Sequence, residues 1–310
     1  MSDQVPTTFV TEFQNNMKLS LQQTKPLLWG LGINRPCSGK LAELDDLIGH
    51  VRAKKLDTRH GDISIGNTPH SRVWCAKPLP DYYSEMVDRD DSIQAKIALE
   101  SGYMMTGTAT IVRAKDDAFI AGLFGTMLTG SDEGALVTNV FPAANIVGVD
   151  VGAPVGTPTR MNVAKLRAAR KKLAQNFVDM SEKRFIVVTA EQVDDLMNET
   201  PIASKEFNDE GGKVNSTGRM AGFMGFDFIE MELGNPLLAN SGLSLDANGY
   251  RKNPFWVQSG MASCPWNDLY TSIDPIPMKA GAKLIYVETT VAATRTENGK
   301  VGYILNTEAA

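Results

Sequence analysis

Residues 90–125 read DDSIQAKIALESGYMMTGTATIVRAKDDAFIAGLFG, and the rest of the chain is organised around them. Ile93, Ile97, Met104, Thr108, Val112, Phe119 and Leu123 recur at four or seven residues, the period of one buried helix face. Asp90 or Asp91 is placed to cap the start, because a short carboxylate accepts the free amides of the first turn and suits the positive end of the dipole. Gly125 is the natural stop. Unbroken, such a helix would be about 50 Å long at about 1.5 Å per residue, longer than most single domains need. Gly102, Gly107 and the β-branched cluster from Thr106 to Val112 are its weak points, and a bend is expected there.

Outward from this helix, the totals set bounds. A chain of 310 residues exceeds what one compact core usually serves, so two lobes or an extended subunit are expected. A hydrophobic content of 43% is ample for a core. The net charge of −5 argues against a protein that wraps nucleic acid tightly, since phosphate binding is driven by lysine and arginine. Cys37, Cys75 and Cys264 are odd in number and far apart in sequence, which fits neither a disulfide framework nor a zinc site and predicts three reduced, buried thiols. Met1–Val10 lacks the pattern of a signal peptide, and no stretch has the apolar length to cross a bilayer, so a cytoplasmic origin and no membrane partner are expected.

Residues 1–49 read as an arm: Phe9, Val10, Phe13, Met17 and Leu21 suit a short amphipathic helix with little of its own to bury against. Residues 50–88 alternate like strands, at Val51–Lys54, Ile63–Ile65 and Arg72–Cys75, with turns at Gly61, Gly66-Asn67 and Pro69. The pattern predicts a long ribbon that is polar on both faces, and an isolated hairpin is marginal in water. Asn162 is a helix N-cap ahead of a Val163, Leu166, Leu173, Phe177 stripe. Phe185–Val188 is a short buried strand leading into Thr189-Ala190-Glu191-Gln192, a capping box before Val193, Leu196 and Met197. Lys205–Gly218 reads as an exposed loop, Phe223–Glu232 and Phe255–Ser263 as strands, and Lys283–Val291 with Val301–Leu305 as a hairpin closed by Asn298-Gly299. The sum is an α+β chain.

Signatures of catalysis are missing. Gly30-Leu31-Gly32 has Arg35 where a dinucleotide loop needs its third glycine, and Gly39-Lys40 lacks the upstream glycine of a phosphate loop. His50, His60 and His70 do not converge, and there is no serine elbow. Asp116-Asp117 and Asp194-Asp195 are adjacent carboxylates that diverge by about 100° on a helix, which predicts solvated or ion-paired surface. No catalytic residue, metal site or cofactor is assigned.

Specific residues then carry a resemblance. Thr58-Arg59-His60-Gly61-Asp62, Asn67-Thr68-Pro69-His70-Ser71-Arg72, Asp81-Tyr82, Asp88, Arg113, Asp116-Asp117, Phe124-Gly125-Thr126 and Thr129-Gly130 resemble, in order and spacing, the signature of a family of tailed-bacteriophage major capsid proteins. The segment from Asn162, Val187-Val188 with Glu191-Gln192 and Leu196, Gly225-Phe226, Ala293-Thr294-Arg295, Val301 and Ile304 look like the remainder of it. The resemblance implies the Hong Kong 97-type capsid fold, with an N-terminal arm at 1–49, an extended β-hairpin loop at 50–88, a peripheral domain on a long spine helix at 89–138 and 279–310, and an axial domain at 139–278. It implies a structural subunit, not an enzyme, that self-assembles through pentamers and hexamers into an icosahedral shell around double-stranded DNA held non-specifically. Scaffold, portal and decoration proteins are implied partners, and the virion, assembled in a bacterial host cytoplasm, is the implied location. The alternatives are an encapsulin-like compartment shell or a soluble enzyme without a recognisable motif.

Under this reading Arg52, Lys54, Lys55, Arg59 and Arg72, with Asp57 and Asp62 interleaved, are candidates for pairing with a neighbouring subunit's Glu100, Asp116 and Asp117. The bland alternative is a solvated face, where each exposed pair is worth about 0–1 kcal/mol.

Overall fold

A computed structural model describes residues 23–55, 58–59, 62–63, 65–88, 99–131, 134–199, 220, 222–231, 243 and 245–308, with side chains described from 102 onwards in the long helix. The expected amphipathic helix near the N-terminus, the Asp90/Asp91 cap and the Lys205–Gly218 loop lie outside the described residues.

The strands in chain order are β1 (Ile33–Asn34), β2 (Leu41–Ile48), β3 (His70–Ala76), β4 (Asp81–Val87), β5 (Met127–Gly130), β6 (Val137–Asn139), β7 (Ile146–Val147), β8 (Arg184–Val188), β9 (Gly222–Phe223), β10 (Phe226–Glu230), β11 (Tyr250–Val257), β12 (Met261–Ile276), β13 (Ala282–Arg295) and β14 (Val301–Thr307). The helices are α1 (Leu99–Phe124), α2 (Val163–Gln175) and α3 (Ala190–Met197). The described residues divide into two compact units, one of 23–25, 80–88, 99–113 and 269–289, the other holding the rest.

Helix α1 runs without interruption for 26 residues and stops at Gly125, whose amide closes on the Ala121 carbonyl at 2.8 Å. The expected bend is absent from this span. Thr106, Thr108 and Thr110 each donate a hydroxyl proton to the carbonyl one turn back, Gly102, Met104 and Thr106 respectively, at 2.9–3.1 Å, so the polar side chains are satisfied without opening the ladder. Gly107 serves close packing instead: a Cβ there would stand 2.7 Å from Tyr83 Cδ1 and 2.9 Å from Val287 Cγ2. The buried row is therefore Gly107, Ile111, Lys115, Phe119 and Leu123, while Met104, Thr108 and Val112 are only half-buried. Hydrophobicity alone misplaces the middle of the stripe, because a glycine and a lysine occupy buried positions.

In the smaller unit β4 pairs antiparallel with the first half of β13, from Lys283 opposite Val87 to Thr289 opposite Asp81. Ile285 and Val287 are fully buried there, and Tyr286 stacks on Tyr82 and meets Tyr270 edge-on.

In the larger unit a six-stranded sheet, ordered β7-β14-β11-β8-β10-β9, has two covered faces. Ile186, Val188, Phe226, Phe228, Phe255 and Ile304 face a core with Leu166 and Leu173 of α2 and Val193 and Leu196 of α3. The alternate residues Phe185, Val187, Ile229, Trp256 and Val301 face Phe119, Ile120 and Leu123 of α1. Period-two alternation across a double-covered sheet explains why every residue of β8 is buried. The two anticipated caps are present: Asn162 Oδ1 accepts the Lys165 amide at 2.9 Å, and Thr189 with Gln192 forms the reciprocal box opening α3.

Four readings need correction. First, β2 and β3 form the antiparallel ribbon, from Leu41 opposite Ala76 to Ile48 opposite His70, while the described residues between 50 and 69 are not strand. A second sheet, β2-β3-β5-β6, anchors its base, and β4 joins β13 instead. Second, β13 and β14 are not a hairpin: β14 pairs with β11 and β7, in a different sheet from β13. The Asn298–Lys300 connection is a 3-10 turn, and Thr296 leads into it bound through its amide to the Gly260 carbonyl and through its hydroxyl to the Ser259 carbonyl. Third, Phe223–Glu232 is not one strand, because Met224 and Gly225 both adopt positive φ and turn the chain back as a two-residue hairpin. Fourth, Phe177 is not core: α2 ends at Gln175, Phe177 takes the left-handed conformation (φ 59°) and is 97% exposed, and Val178 is buried in its place.

Candidate inter-subunit surface

The connection that caps the ribbon, residues 49–69, begins where the Gly49 amide meets the Pro69 carbonyl at 2.8 Å. Beyond that bond the chain carries Arg52, Lys54, Lys55, Arg59 and Asp62, all exposed. Lys54 Nζ donates to the Ile65 carbonyl at 3.4 Å across the connection. Among these charges stand apolar side chains: Ile63 is 84% exposed and Ile65 94%. Two isoleucines held in water beside four cations cost apolar hydration that burial by another molecule would recover, about 1.5–3 kcal/mol per side chain fully covered.

The remaining candidates are placed differently. Arg72, half-buried on β3, pairs through Nε with Glu43 of β2 at 3.3 Å, and His70 meets Asp46 at 3.5 Å, so the ribbon's sides carry cross-strand pairs of their own. Asp117 is exposed on α1, whereas the Glu100 side chain, like Asp57, lies outside the described residues. Asp116 corrects the expectation of a solvated or partner-facing carboxylate: it is fully buried. Its Oδ2 accepts the Leu27 amide at 2.9 Å and its Oδ1 the amides of Leu28 and Trp29 at 2.9 and 3.1 Å. The adjacent Lys115 is buried too and reaches Asp268 at 2.7 Å. The Lys-Asp-Asp triplet thus divides into an ion pair, an anchor for residues 27–29 and one exposed acid.

Two further buried charges escaped sequence reasoning. Arg295 is fully buried; its NH1 donates to the carbonyls of Leu123 and Gly125, both at 2.6 Å, its NH2 to Asn139 at 3.3 Å and its Nε to Asn298 Oδ1 at 3.0 Å, with the guanidinium over the Phe141 ring. A cation at the negative end of α1 satisfies carbonyls that the helix itself leaves open, and burial pushes the guanidinium down to about 10. Lys165, also fully buried, donates Nζ to the Thr159 and Leu305 carbonyls at 2.8 Å and to Asn306 Oδ1 at 2.9 Å. Burial lowers it to about 8 against the opposing influence of Asp150 and Asp195. From Asn306 a polar chain continues through Asn253 and Gln192 to Glu308, which Arg251 grips with two nitrogens. The sequence marks neither: Lys165 stands among Arg167, Arg170, Lys171 and Lys172, and Arg295 between two threonines.

On the outer face of α2, Arg167, Arg170 and Lys171 line a cavity of about 260 Å³ with Ala174, Met180 and Met224. Spacings of three and four residues put these cations on one face, and no acid among the described residues lines the cavity. Asp195, by contrast, ion-pairs with Arg160 at 3.1 Å, as its sequence context suggested.

A ribbon, a long helix and a double-covered sheet in this order define an α+β architecture of the Hong Kong 97-type capsid class. The capsid of cyanophage P-SCSP1u matches with a TM-score of 0.69 at 12% identity over 98% of this chain and 94% of that one. Cyanophage Pam1 matches with 0.68 at 11% over all of both chains, and the capsid of Ralstonia phage GP4 with 0.67 at 10% over 100% and 98%. The sequence itself goes further: it matches the model of the Phage capsid protein family over residues 5–308, and the chain belongs to that family. No curated protein matches it. The chain is therefore a structural protein of a bacteriophage head shell, a component of the virion and not an enzyme.

Proposed function

We propose that the chain builds its shell through pentamers and hexamers, closed into an icosahedron around double-stranded DNA that the wall holds without sequence preference. Heterologous contacts that close by rotation make such rings, and many weak contacts sum to a strong shell. Within that shell the residues before β2 would act as the arm, β2 and β3 with the 49–69 connection as the extended loop, 89–138 with 279–310, joined by β4, as the peripheral domain and 139–278 as the axial domain. Scaffold, portal and decoration proteins complete the expected partners, with assembly in the host cytoplasm.

The observation that supports this most is the 49–69 connection, where Ile63 and Ile65 stand in solvent beside Arg52, Lys54, Lys55 and Arg59. An amphipathic surface of this kind has no cover among its own chain's described residues, and a second copy offers both apolar area and, at exposed Asp117, a carboxylate. Asp116 is withdrawn from the pairing set because its own chain uses both of its oxygens. Arg59→Glu tests the proposal. The variant is expected to keep the circular dichroism and melting point of the parent while yielding no closed shells by electron microscopy, and normal shells would refute the role of the connection.

A further inference from the structure

All three cysteines of the chain, distant in sequence, meet in one place within the larger unit. Cys75 of β3 and Cys264 of β12 share a small buried cluster with Ala262, and Cys37 packs at its margin with Leu44 and Trp266. The Cys37 amide donates to the Pro265 carbonyl at 3.0 Å, which brings the Cys37 backbone alongside the strand that carries Cys264. Cys264 packs with both Cys75 and Cys37, while the thiols of Cys37, Cys75 and Cys264 point to the Arg35, Ala76 and Ala262 carbonyls at 3.1, 4.0 and 4.0 Å. Cys75 and Cys264 are almost fully buried, while Cys37 is half-exposed. The expectation of reduced, buried thiols holds for Cys75 and Cys264, Cys37 is free but half-exposed, and scatter in sequence is convergence in space.

We infer that this trio is a thiol–disulfide modification site that takes a small-molecule disulfide as oxidant, with Cys37 the first thiol to react and a Cys75–Cys264 bond the final product. The steps balance. The Cys37 thiolate attacks an oxidant R–S–S–R, forming a Cys37–SR mixed disulfide and releasing one RSH. Cys264 then attacks the Cys37 sulfur and expels the second RSH, and Cys75 attacks the Cys264 sulfur and returns Cys37 to the thiol. Two protein thiols are oxidised, one external disulfide is reduced to two thiols, and each displaced thiolate takes up the proton of its attacker. Only Cys37 is accessible enough for the first step, and Cys264 shares the buried cluster with Cys75 against which Cys37 packs, which places it to relay the bond. The neighbouring Cys264 lowers the Cys75 thiol and favours it as the last nucleophile, while Cys75 and burial raise Cys264 and burial raises Cys37, so the first two steps are slow. The product lies where external reductants reach it least. It would tie β3, which carries the 49–69 connection, to β12, open in a reducing cytoplasm and closed outside the cell.

Incubating the purified full-length chain with oxidised glutathione, then alkylating under denaturing conditions and mapping peptides without reduction, tests the site independently of assembly. The expected product joins the Cys75 and Cys264 peptides and leaves Cys37 alkylated. Cys37→Ser should slow closure by about tenfold or more, because the remaining thiols are buried, and Cys75→Ser should divert the bond to Cys37–Cys264. Three alkylated thiols after prolonged oxidation, a glutathione retained on Cys37, or only intermolecular Cys37 dimers would each overturn the inference.

Discussion

Asp116 and Leu28 are 88 residues apart in sequence, yet the Asp116 carboxylate accepts the Leu28 amide at 2.9 Å inside the protein. The same carboxylate holds the amides on either side, so the 27–29 turn is fastened to α1 by one buried anion. Charge-assisted bonds of this kind contribute more than neutral ones, and removing the acceptor strands three donors. Asp116→Ala is expected to lower the unfolding free energy of the unassembled chain by about 3–5 kcal/mol, read from urea denaturation. A change below about 1 kcal/mol would mean that water replaces the carboxylate.

Arg295 makes a second anchor at the C-terminal end of α1, where NH1 holds the Leu123 and Gly125 carbonyls, NH2 the Asn139 carbonyl and Nε the Asn298 Oδ1. Lysine has three donors but on a single nitrogen, which cannot reach acceptors spread around three guanidinium nitrogens. Both Arg295→Met and Arg295→Lys are therefore expected to destabilise, with lysine recovering less than half of the loss in thermal unfolding of the chain.

Much of this was legible locally and little of it at long range. The Asn162 and Thr189–Gln192 caps, the stop at Gly125 and the long helix all depend on residues within one or two turns of each other, and they are present as expected. The β13–β14 hairpin failed because Asn-Gly favours a tight turn only when the flanking strands have no better partners, and β11 and β12 are better partners. Asp116 reads as a surface charge, and nothing local marks Lys165 or Arg295 as buried, because their acceptors and donors come from segments far away in sequence. The cationic loop was readable residue by residue, but the exposure of Ile63 and Ile65 required the fold.

Lys165 gives the chain a pH dependence of defined sign. Folded, its ammonium is lowered to about 8; unfolded, it titrates at about 10.4. Between those values the unfolded chain binds more protons, so stability rises with pH across that window and levels off above it. Lys165→Met should remove that rise. The difference between parent and variant, followed by chemical denaturation from pH 7.5 to pH 10.5, isolates it from the tyrosines and thiols that titrate nearby; parallel curves would exclude the assignment.

Phe177 combines near-total exposure with a left-handed backbone that disfavours any side chain. Phe177→Gly is expected to stabilise the isolated chain by about 1 kcal/mol, since glycine is the preferred residue just past a helix end. A loss of stability would show that the ring packs in the isolated chain after all.

The account rests on a chain that leaves the 49–69 connection uncovered until identical copies surround it. Electron microscopy of the purified wild-type protein over a range of concentrations tests this most directly. Ring-shaped capsomers and closed shells are the predicted result, and a field of separate 33.7 kDa monomers at every concentration would contradict it.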